Sequence, residues 1–224
     1  MKHLLAILFV NFYFTLLFGQ TSPLKDCLTA YIDSTSGKEL TGYKSFNGEI
    51  VIEAKYQSGS DTLCGMAIVF TSDFEFIGID RNDSIVLKPY IYDNGPDYVE
   101  EGLFRYIEND KIGFADLNGQ KIIPAKYDFA TPFSKGLSEY SIGGEPIYED
   151  GRSRTQIISE SGYDSLLDKH WIWGGDIRER GYLNKSGQEF IEVTELKNNA
   201  RSATTKDNKK VLLNGKGQII KRLK

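Results

Sequence analysis

Histidine, the residue most often used for acid–base chemistry, occurs only at His3 and His170. His3 lies in an N-terminal segment that we expect to be removed, so the mature chain has no histidine pair to hold a metal ion. A lone histidine is usually structural, because a catalytic base also needs a nucleophile and an orienting partner. We interpret His170, beside Trp171 and Trp173, as a rim or packing residue.

Acidic residues are concentrated in one loop, where Asp93, Asp97, Glu100 and Glu101 follow one another closely. Two carboxylates at a set distance could hydrolyse a glycosidic bond. Several carboxylate oxygens could instead hold calcium, although the twelve-residue EF-hand spacing is absent. Asp, Asn, Gly and Pro are also ordinary residues of solvated turns, which is the simpler interpretation. The alternative function is therefore a carbohydrate-active hydrolase that uses residues 93–101, whereas our prediction is no catalytic residue, metal site or cofactor.

Aromatic side chains are the stronger candidates for binding, since the chain contains 13 Tyr, 13 Phe and 2 Trp. Such rings can stack on sugars or peptide side chains, but tyrosine is also a good strand residue that packs in cores. Extra polar residues near Gly151 suggest an insertion, and insertions in repeat proteins often lie on the binding face. The predicted ligand-binding patch comprises Trp171, Trp173, Tyr140, Tyr148 and Tyr182.

The two cysteines, Cys27 and Cys64, are candidates for a disulfide. In an oxidising compartment a pair is more often bridged than catalytic, and two free buried thiols are the alternative. A bond would be worth about 3–4 kcal/mol in the entropic account of loop closure.

The N-terminus has the layout of a secretory signal peptide, with Lys2 followed by an apolar run from Leu4 to Phe18. This run is shorter than the roughly 20 residues that span a bilayer. We predict that residues 1–19 are removed and that the mature chain, from Gln20, is secreted or periplasmic with no membrane span. An uncleaved anchor is the alternative.

Charge is distributed unevenly around a net value of −4, because residues 206–224 contain seven Lys or Arg and only one acidic residue, Asp207. This basic end could bind an anionic glycan or surface. Alternatively, its lysines could protect an exposed edge strand from pairing with other chains. The acidic remainder argues against a nucleic-acid partner, since phosphate contacts need clustered cations.

Turn signals recur about every 35 residues, and a fixed long period indicates a repeat array. Each turn is followed by a short apolar run, such as Ile122-Ile123 or Ile157-Ile158, and Asn-Gly or Asp-Gly between such runs favours a hairpin. Units this small need neighbours to bury their apolar faces. We predict an all-β tandem array of about six short β-meander or hairpin repeats over residues 42–224, after a lead-in segment at 20–41. The array is expected to be open and solenoid-like, with a closed propeller-like ring as the alternative. The turns are Asn47-Gly48, Asn82-Asp83, Asn118-Gly119, Asp150-Gly151, Ser186-Gly187 and Lys216-Gly217.

The third unit contains Lys111-Ile112-Gly113-Phe114, the Asn118-Gly119 turn and Lys126-Tyr127-Asp128. In these residues it resembles the bacterial WG-repeat family. Ile112 stands where the family has tryptophan, and Arg180 holds the corresponding place before Gly181. The resemblance implies an all-β repeat protein without catalytic residues to carry over, because the family motif is structural.

Together these patterns predict a secreted β-repeat module for binding or interaction, at the bacterial cell envelope and without catalytic activity of its own. The expected partner is an unknown protein or glycan, and the expected oligomeric state is a monomer. A structural spacer protein is a further alternative.

Overall fold

The computed structural model of the protein describes residues 27–166 and 169–223. The predicted signal peptide and the start of the lead-in segment lie outside these residues. Antiparallel strands form five units of three strands each within the described part. The units are: unit one, β1 (Leu28–Asp33), β2 (Leu40–Lys44) and β3 (Ile50–Tyr56); unit two, β6 (Ala67–Phe70), β7 (Phe76–Ile79) and β8 (Ile85–Pro89); unit three, β11 (Phe104–Glu108), β12 (Lys111–Ala115) and β13 (Lys121–Tyr127); unit four, β15 (Leu137–Tyr148), β16 (Trp171–Asn184) and β17 (Glu189–Val193); unit five, β18 (Ala200–Thr205), β19 (Lys210–Asn214) and β20 (Ile219–Arg222).

Short elements connect these units. They are β4 (Ser58–Gly59) and β5 (Thr62–Leu63) after unit one, β9 (Ile91–Tyr92) and β10 (Gly95–Pro96) after unit two, β14 (Phe129–Ala130) after unit three, and the helix α1 (Arg154–Ser161) between β15 and β16. No helix among the described residues is long and apolar enough to cross a bilayer.

The predicted open β array is confirmed, but the described part contains five units instead of about six. The turn at Asp150-Gly151 does not join two strands of a separate unit; it precedes α1, which lies within unit four. The Ser153 hydroxyl accepts from the Gln156 backbone N–H at 3.2 Å, and the Gln156 side chain accepts in return from the Ser153 N–H at 2.8 Å. This capping box starts a helix in which Ile157 is buried, so Ile157-Ile158 is helical and not a strand.

The segment that the sequence indicated as a lead-in contains a strand. Strand β1 lies inside this segment, and it pairs with β2 from Thr29 to Asp33. Tyr31 lies opposite Gly42 in this pair, as in the later units. The first unit therefore includes most of the described lead-in residues.

Successive units are joined edge to edge. At each of the four junctions, the third strand of a unit, or the short strand that continues it, pairs antiparallel with the first strand of the next unit. Within the described residues, β20 is the last strand of its sheet. This arrangement positions the third strand of each of units one to four, or its continuation, beside the following unit.

Units one, three and four share a pair of residues, a tyrosine that faces a glycine on the neighbouring strand. The tyrosine on the first strand lies opposite the glycine on the second, as Tyr106 does opposite Gly113. A Cβ atom at Gly113 would approach both Tyr106 Cε1 and the Ile123 carbonyl oxygen to 2.6 Å, so only glycine leaves room for the ring. The Tyr106 hydroxyl then accepts from the Ala125 N–H at 3.1 Å, on the third strand. The corresponding pairs are Tyr31–Gly42 and Tyr140–Gly181.

A lysine-tyrosine pair at the end of the third strand holds the next unit. Tyr56 donates to Asp83 Oδ1 at 2.5 Å, and Lys55 forms an ion pair with the same carboxylate. Lys126 and Tyr127 bind Glu189 of unit four in the same way, at 2.6 and 2.7 Å. The Lys-Tyr motif is therefore used for contacts between units.

The beginning of the array is covered. Cys27 and Cys64 form a disulfide, and β1 pairs on its outer edge with β5 through Leu28 and Leu63. The segment after unit one thus folds back into the place that a preceding unit would take.

Candidate functional site

The acidic loop at residues 93–101 is tied to structure. The Asp97 side chain is almost fully buried and accepts from Arg105 Nη2 at 2.5 Å, from Nε at 2.8 Å and from the backbone N–H at 2.9 Å. Glu101 accepts from the Gly136 N–H at 3.0 Å. The Asp97 carboxylate is therefore held in a buried ion pair with Arg105, which is the geometry of a structural contact. No group of three metal-binding side chains occurs among the described residues.

His170 is a surface residue. Its side chain is 74% exposed, and the nearest carboxylate oxygen, on Glu149, lies 3.9 Å from Nδ1. Its position agrees with a rim residue and not with packing between units.

The predicted aromatic patch divides into two groups. Tyr140 and Tyr148 are 2% and 4% exposed, so their rings are largely buried, and a ligand contact by either ring stays a prediction. Tyr140 faces inward because its ring lies across Gly181. Tyr148 donates to the Asp164 carboxylate at 2.7 Å. The half-buried residues of the patch are Trp171, Trp173 and Tyr182.

Trp173 and Tyr182 line a cavity of about 370 Å³ on unit four, which we call the aromatic cleft. It lies where β14, β15, β16 and β17 meet. Trp171 does not line the cavity, but its ring contacts those of Phe129 and Trp173 edge-on, with centroids 6.3 and 6.4 Å apart. The residues of the aromatic cleft are Phe129, Glu139, Tyr140, Ser141, Trp173, Arg180, Gly181, Tyr182 and Ile191.

The extension of unit four brings Trp173 to the cleft. Strands β15 and β16 are the longest in the described chain, and their pairing is irregular near Gly143. Gly143 and Gly144 have φ of 79° and 86°, a backbone conformation that favours glycine. The Trp173 Nε1–H donates to the Gly143 carbonyl at 3.0 Å, and the indole stacks on Phe129 with centroids 5.1 Å apart and planes at 18°. The indole is thus held in place before any ligand arrives.

Charged and polar side chains complete the cleft. Glu139 lies opposite Tyr182, and Ser141 lies opposite Arg180, so these four residues share one face of the sheet. Arg180 is exposed and forms no ion pair within the described residues. Its Nη2 makes one long hydrogen bond, of 3.4 Å, to the Trp173 carbonyl. The cleft can therefore offer a flat apolar surface, a guanidinium and a carboxylate to one ligand.

An ionic network connects the cleft to units three and five. Tyr140 donates to Glu179 at 2.6 Å, and Lys206 bridges Glu179 and Glu189 at 2.5 and 2.6 Å. Burial alone would raise the pKa of the Glu189 carboxyl, but hydrogen bonds from two lysines and a tyrosine outweigh burial and lower this pKa to about 2. Burial, together with the hydrogen bond to Glu179, raises the pKa of Tyr140. The carboxylates stay ionised and the tyrosine stays neutral near pH 7, which keeps the hydrogen bond from Tyr140, a residue of the cleft, to Glu179.

The sequence did not indicate Phe129, Glu139 and Arg180 as site residues. Arg180 did carry a signal, because it stands before Gly181 at the place of the family tryptophan. Phe129 directly follows the Lys-Tyr-Asp motif, where the chain passes from one unit to the next. Glu139 carries no signal, since it is one of many exposed acidic residues.

Comparison with known proteins supports the repeat assignment. A model of the family described as WG containing repeat matches residues 112–145. No curated protein matches the chain. Among solved structures, the chain is similar to the computationally designed Ika8 protein, with 9% identity, 89% of this chain covered and a TM-score of 0.26. It spans 59% of that protein's length.

A second similar structure is BamB from Moraxella catarrhalis, with 14% identity, 88% of this chain and 72% of that chain covered, and a TM-score of 0.24. Both TM-scores are too low to support any argument about function. The family match runs from β12 into β15, through the residues on which the resemblance was based. Residues 112–145 are therefore similar to the WG containing repeat, in agreement with the resemblance inferred from the sequence.

Proposed function

We propose that the protein is a secreted binding module of the bacterial cell envelope, without catalytic activity of its own, and that a glycan binds in the aromatic cleft. The observation that carries the proposal is the fixed stack of Trp173 on Phe129 beside the unpaired Arg180. A ring held in one orientation loses little conformational freedom when a ligand binds.

The chemistry of the cleft favours a sugar. Because the indole N–H is already used by the Gly143 carbonyl, Trp173 offers its ring and not its donor to a ligand. The carbon-bound hydrogens on one face of a sugar suit such a ring, while Arg180 and Glu139 can hydrogen-bond to the hydroxyl groups.

The contacts of Asp97 favour binding over hydrolysis. A hydrolase using the 93–101 loop would need two available carboxylates, and the ion pair with Arg105 removes one of them. No observation on the described residues favours the hydrolase over the binding module.

The proposal that the protein is secreted is based on its N-terminal sequence. We expect the mature protein to begin at Gln20, which N-terminal sequencing of protein recovered from the periplasm or medium would establish. Intact Met1 on an envelope-bound product would contradict a cleaved signal peptide.

Binding is tested with a thermal-shift screen of the mature chain against envelope glycans and peptides. A ligand that binds only the folded state raises the melting temperature by mass action. The expected hit is a glycan whose shift is lost in Trp173→Ala and kept in Ile172→Ala, because Ile172 is 64% exposed and adjacent to Trp173 in the same strand. If only peptides raised the melting temperature, the ligand would be a protein segment and not a glycan. If neither class raised it, the result would favour a structural spacer.

A further inference from the structure

The second strand of each unit in the described chain carries two positions whose side chains are buried except in unit four. In unit three these positions are Ile112 and Phe114, on either side of Gly113. The strand registers give Arg180 and Tyr182 the same two positions in unit four. Arg180 is exposed and Tyr182 is half-buried, so a stripe of core residues reaches the surface in unit four. The buried residues at these positions, each at most 7% exposed, are Thr41, Tyr43, Ile77, Ile79, Ile112, Phe114, Val211 and Leu213.

The first strand of unit four changes in the same direction. In unit three, Arg105 lies opposite Phe114 and is paired with Asp97 in the interior. Phe133 covers Phe114 from the other side, with ring centroids 4.7 Å apart. Glu139 has the place of Arg105 in unit four, and it forms no ion pair with any residue that the structure describes. Polar side chains and open space therefore replace core packing at the aromatic cleft.

Two arginines without ionic partners lie at this opening. Arg180 lines the cleft, and neither Arg180 nor Arg178 forms an ion pair within residues 27–166 and 169–223. A Cβ atom at Gly143 would lie 3.3 Å from Arg178 Nε, so Arg178 passes beside the residue whose carbonyl accepts from Trp173. The acidic residue among the described residues that line the cleft is Glu139. Positive charge therefore predominates beside the indole.

The charge of Arg178 also acts on Asp128. Burial would raise the pKa of the Asp128 carboxyl, but hydrogen bonds from Lys111 and the Gly143 N–H, together with the charges of Lys111 and Arg178, lower this pKa. Arg178 itself makes no hydrogen bond in the described part of the chain. Its guanidinium therefore keeps its donors for a further anion.

We propose that the glycan bound in the aromatic cleft is acidic, and that Arg180 binds its carboxylate while the sugar ring stacks on Trp173. This inference rests on the proposed glycan-binding function. A guanidinium presents parallel N–H groups that match the two oxygens of a carboxylate, and such bonds are stronger than those to neutral hydroxyls. Arg178 adds electrostatic attraction, and Glu139 accepts from sugar hydroxyls.

The test compares acidic oligosaccharides with their carboxyl-reduced forms. Tetragalacturonate and tetraglucuronate are titrated into the mature chain by isothermal calorimetry. The neutral ligands are tetragalactose and tetraglucose, made by reducing each carboxyl to a hydroxymethyl group. At least one acid is expected to bind, about tenfold more tightly than its neutral form, because the neutral form loses the ionic contact with the guanidinium.

Arg180→Gln should remove this difference, weakening the acid about tenfold and the neutral form less than about twofold. Arg180→Lys keeps the charge but loses the planar fork, so it should restore part of the affinity. Arg222→Gln removes the same charge from β20, outside the lining of the cleft, and should leave the difference unchanged. Trp173→Ala should weaken both forms, because both stack on the indole. Thermal unfolding establishes that each variant is folded.

The outcomes separate an acidic ligand from glycan binding itself. If an acid and its neutral form bind equally, or if Arg180→Gln leaves their difference intact, the carboxylate contact is wrong and glycan binding stands. The same conclusion follows if neither acid binds while a neutral envelope glycan raises the melting temperature. If no glycan of either kind binds the unaltered protein, both proposals are wrong.

Discussion

Units three and four share one plan and use their polar and aromatic side chains differently. In unit three, Tyr106, Arg105 and the Lys126-Tyr127 pair all contact neighbouring strands or units. Unit four keeps the tyrosine-glycine pair but has longer strands that carry Trp173 onto Phe129. Residues that recur along the array therefore serve packing, even where the Tyr140–Gly181 pair borders the cleft. Residues that break the recurrence, Trp173 and Arg180, supply the indole and the guanidinium of the cleft.

Breaking the buried ion pair of unit three should have the largest effect on stability. Arg105→Ala leaves the Asp97 carboxylate buried without its cation, which is expected to cost about 3–5 kcal/mol of unfolding free energy. Urea unfolding measures the loss. Lys121→Ala, which removes an exposed pair with Glu108, is the control and should cost less than about 1 kcal/mol. Equal losses in the two variants would contradict a structural role for the buried pair.

The tyrosine-glycine pair should matter equally in both units. A Cβ atom at Gly113 or Gly181 would come within 2.6 Å or 2.5 Å of a backbone carbonyl oxygen, so Gly113→Ala and Gly181→Ala should each cost about 1–3 kcal/mol. Gly95→Ala, with its nearest neighbouring atom at 3.9 Å, is the matched control and should have little effect. If only Gly113→Ala destabilised the protein, unit four would not share the packing plan.

The network between the units predicts a specific dependence on acid. The folded-state pKa of Glu189 is about 2, below the usual 4.5, so its stabilising contribution is complete above pH 4.5 and is lost as pH falls toward 2. Glu189→Gln should lower stability at pH 7 and flatten the acid limb of the stability curve. Urea unfolding from pH 7 to pH 2 provides the measurement. An unchanged acid limb would exclude Glu189 as a stabilising carboxylate.

The smallest effect is expected in the helix of unit four. Ser153→Ala removes the side chain that caps α1, a loss of about 1 kcal/mol in the helix itself. Because α1 lies between two long strands that pair with each other, most of this loss should appear as local opening. Hydrogen exchange should therefore accelerate in residues 154–161 with little change in overall melting. A large drop in the melting temperature would mean that α1 is part of the cooperative core.

The sequence was informative where one residue type has one structural use. Asn-Gly turns and the glycine at position 113 need backbone conformations or space that other residues do not allow, so they located the hairpins and the family motif. The apolar pair Ile157-Ile158 suits a strand and a helix equally, and only the Ser153–Gln156 capping box decides between them.

The site was harder to predict, because the side of a strand that faces the core depends on register. Tyr140 and Tyr182 looked equivalent in sequence, yet Tyr140 lies across Gly181 and is 2% exposed, whereas Tyr182 is half-buried. A shift of one residue in register would exchange the two faces, and period alone does not determine register. Phe129 reaches Trp173 only because the extended strands of unit four fold over it, which no local pattern encodes.

The most direct test of a binding site on unit four is a fluorine NMR titration of mature protein labelled with 5-fluorotryptophan. The chain has two tryptophans, so two resonances are expected, and Trp171→Phe and Trp173→Phe assign them. On titration with envelope glycans, the Trp173 resonance should shift to saturation and the Trp171 resonance should shift less, because only Trp173 lines the cleft. A glycan that raises the melting temperature while leaving the Trp173 resonance unmoved would contradict the assignment of the cleft as the binding site.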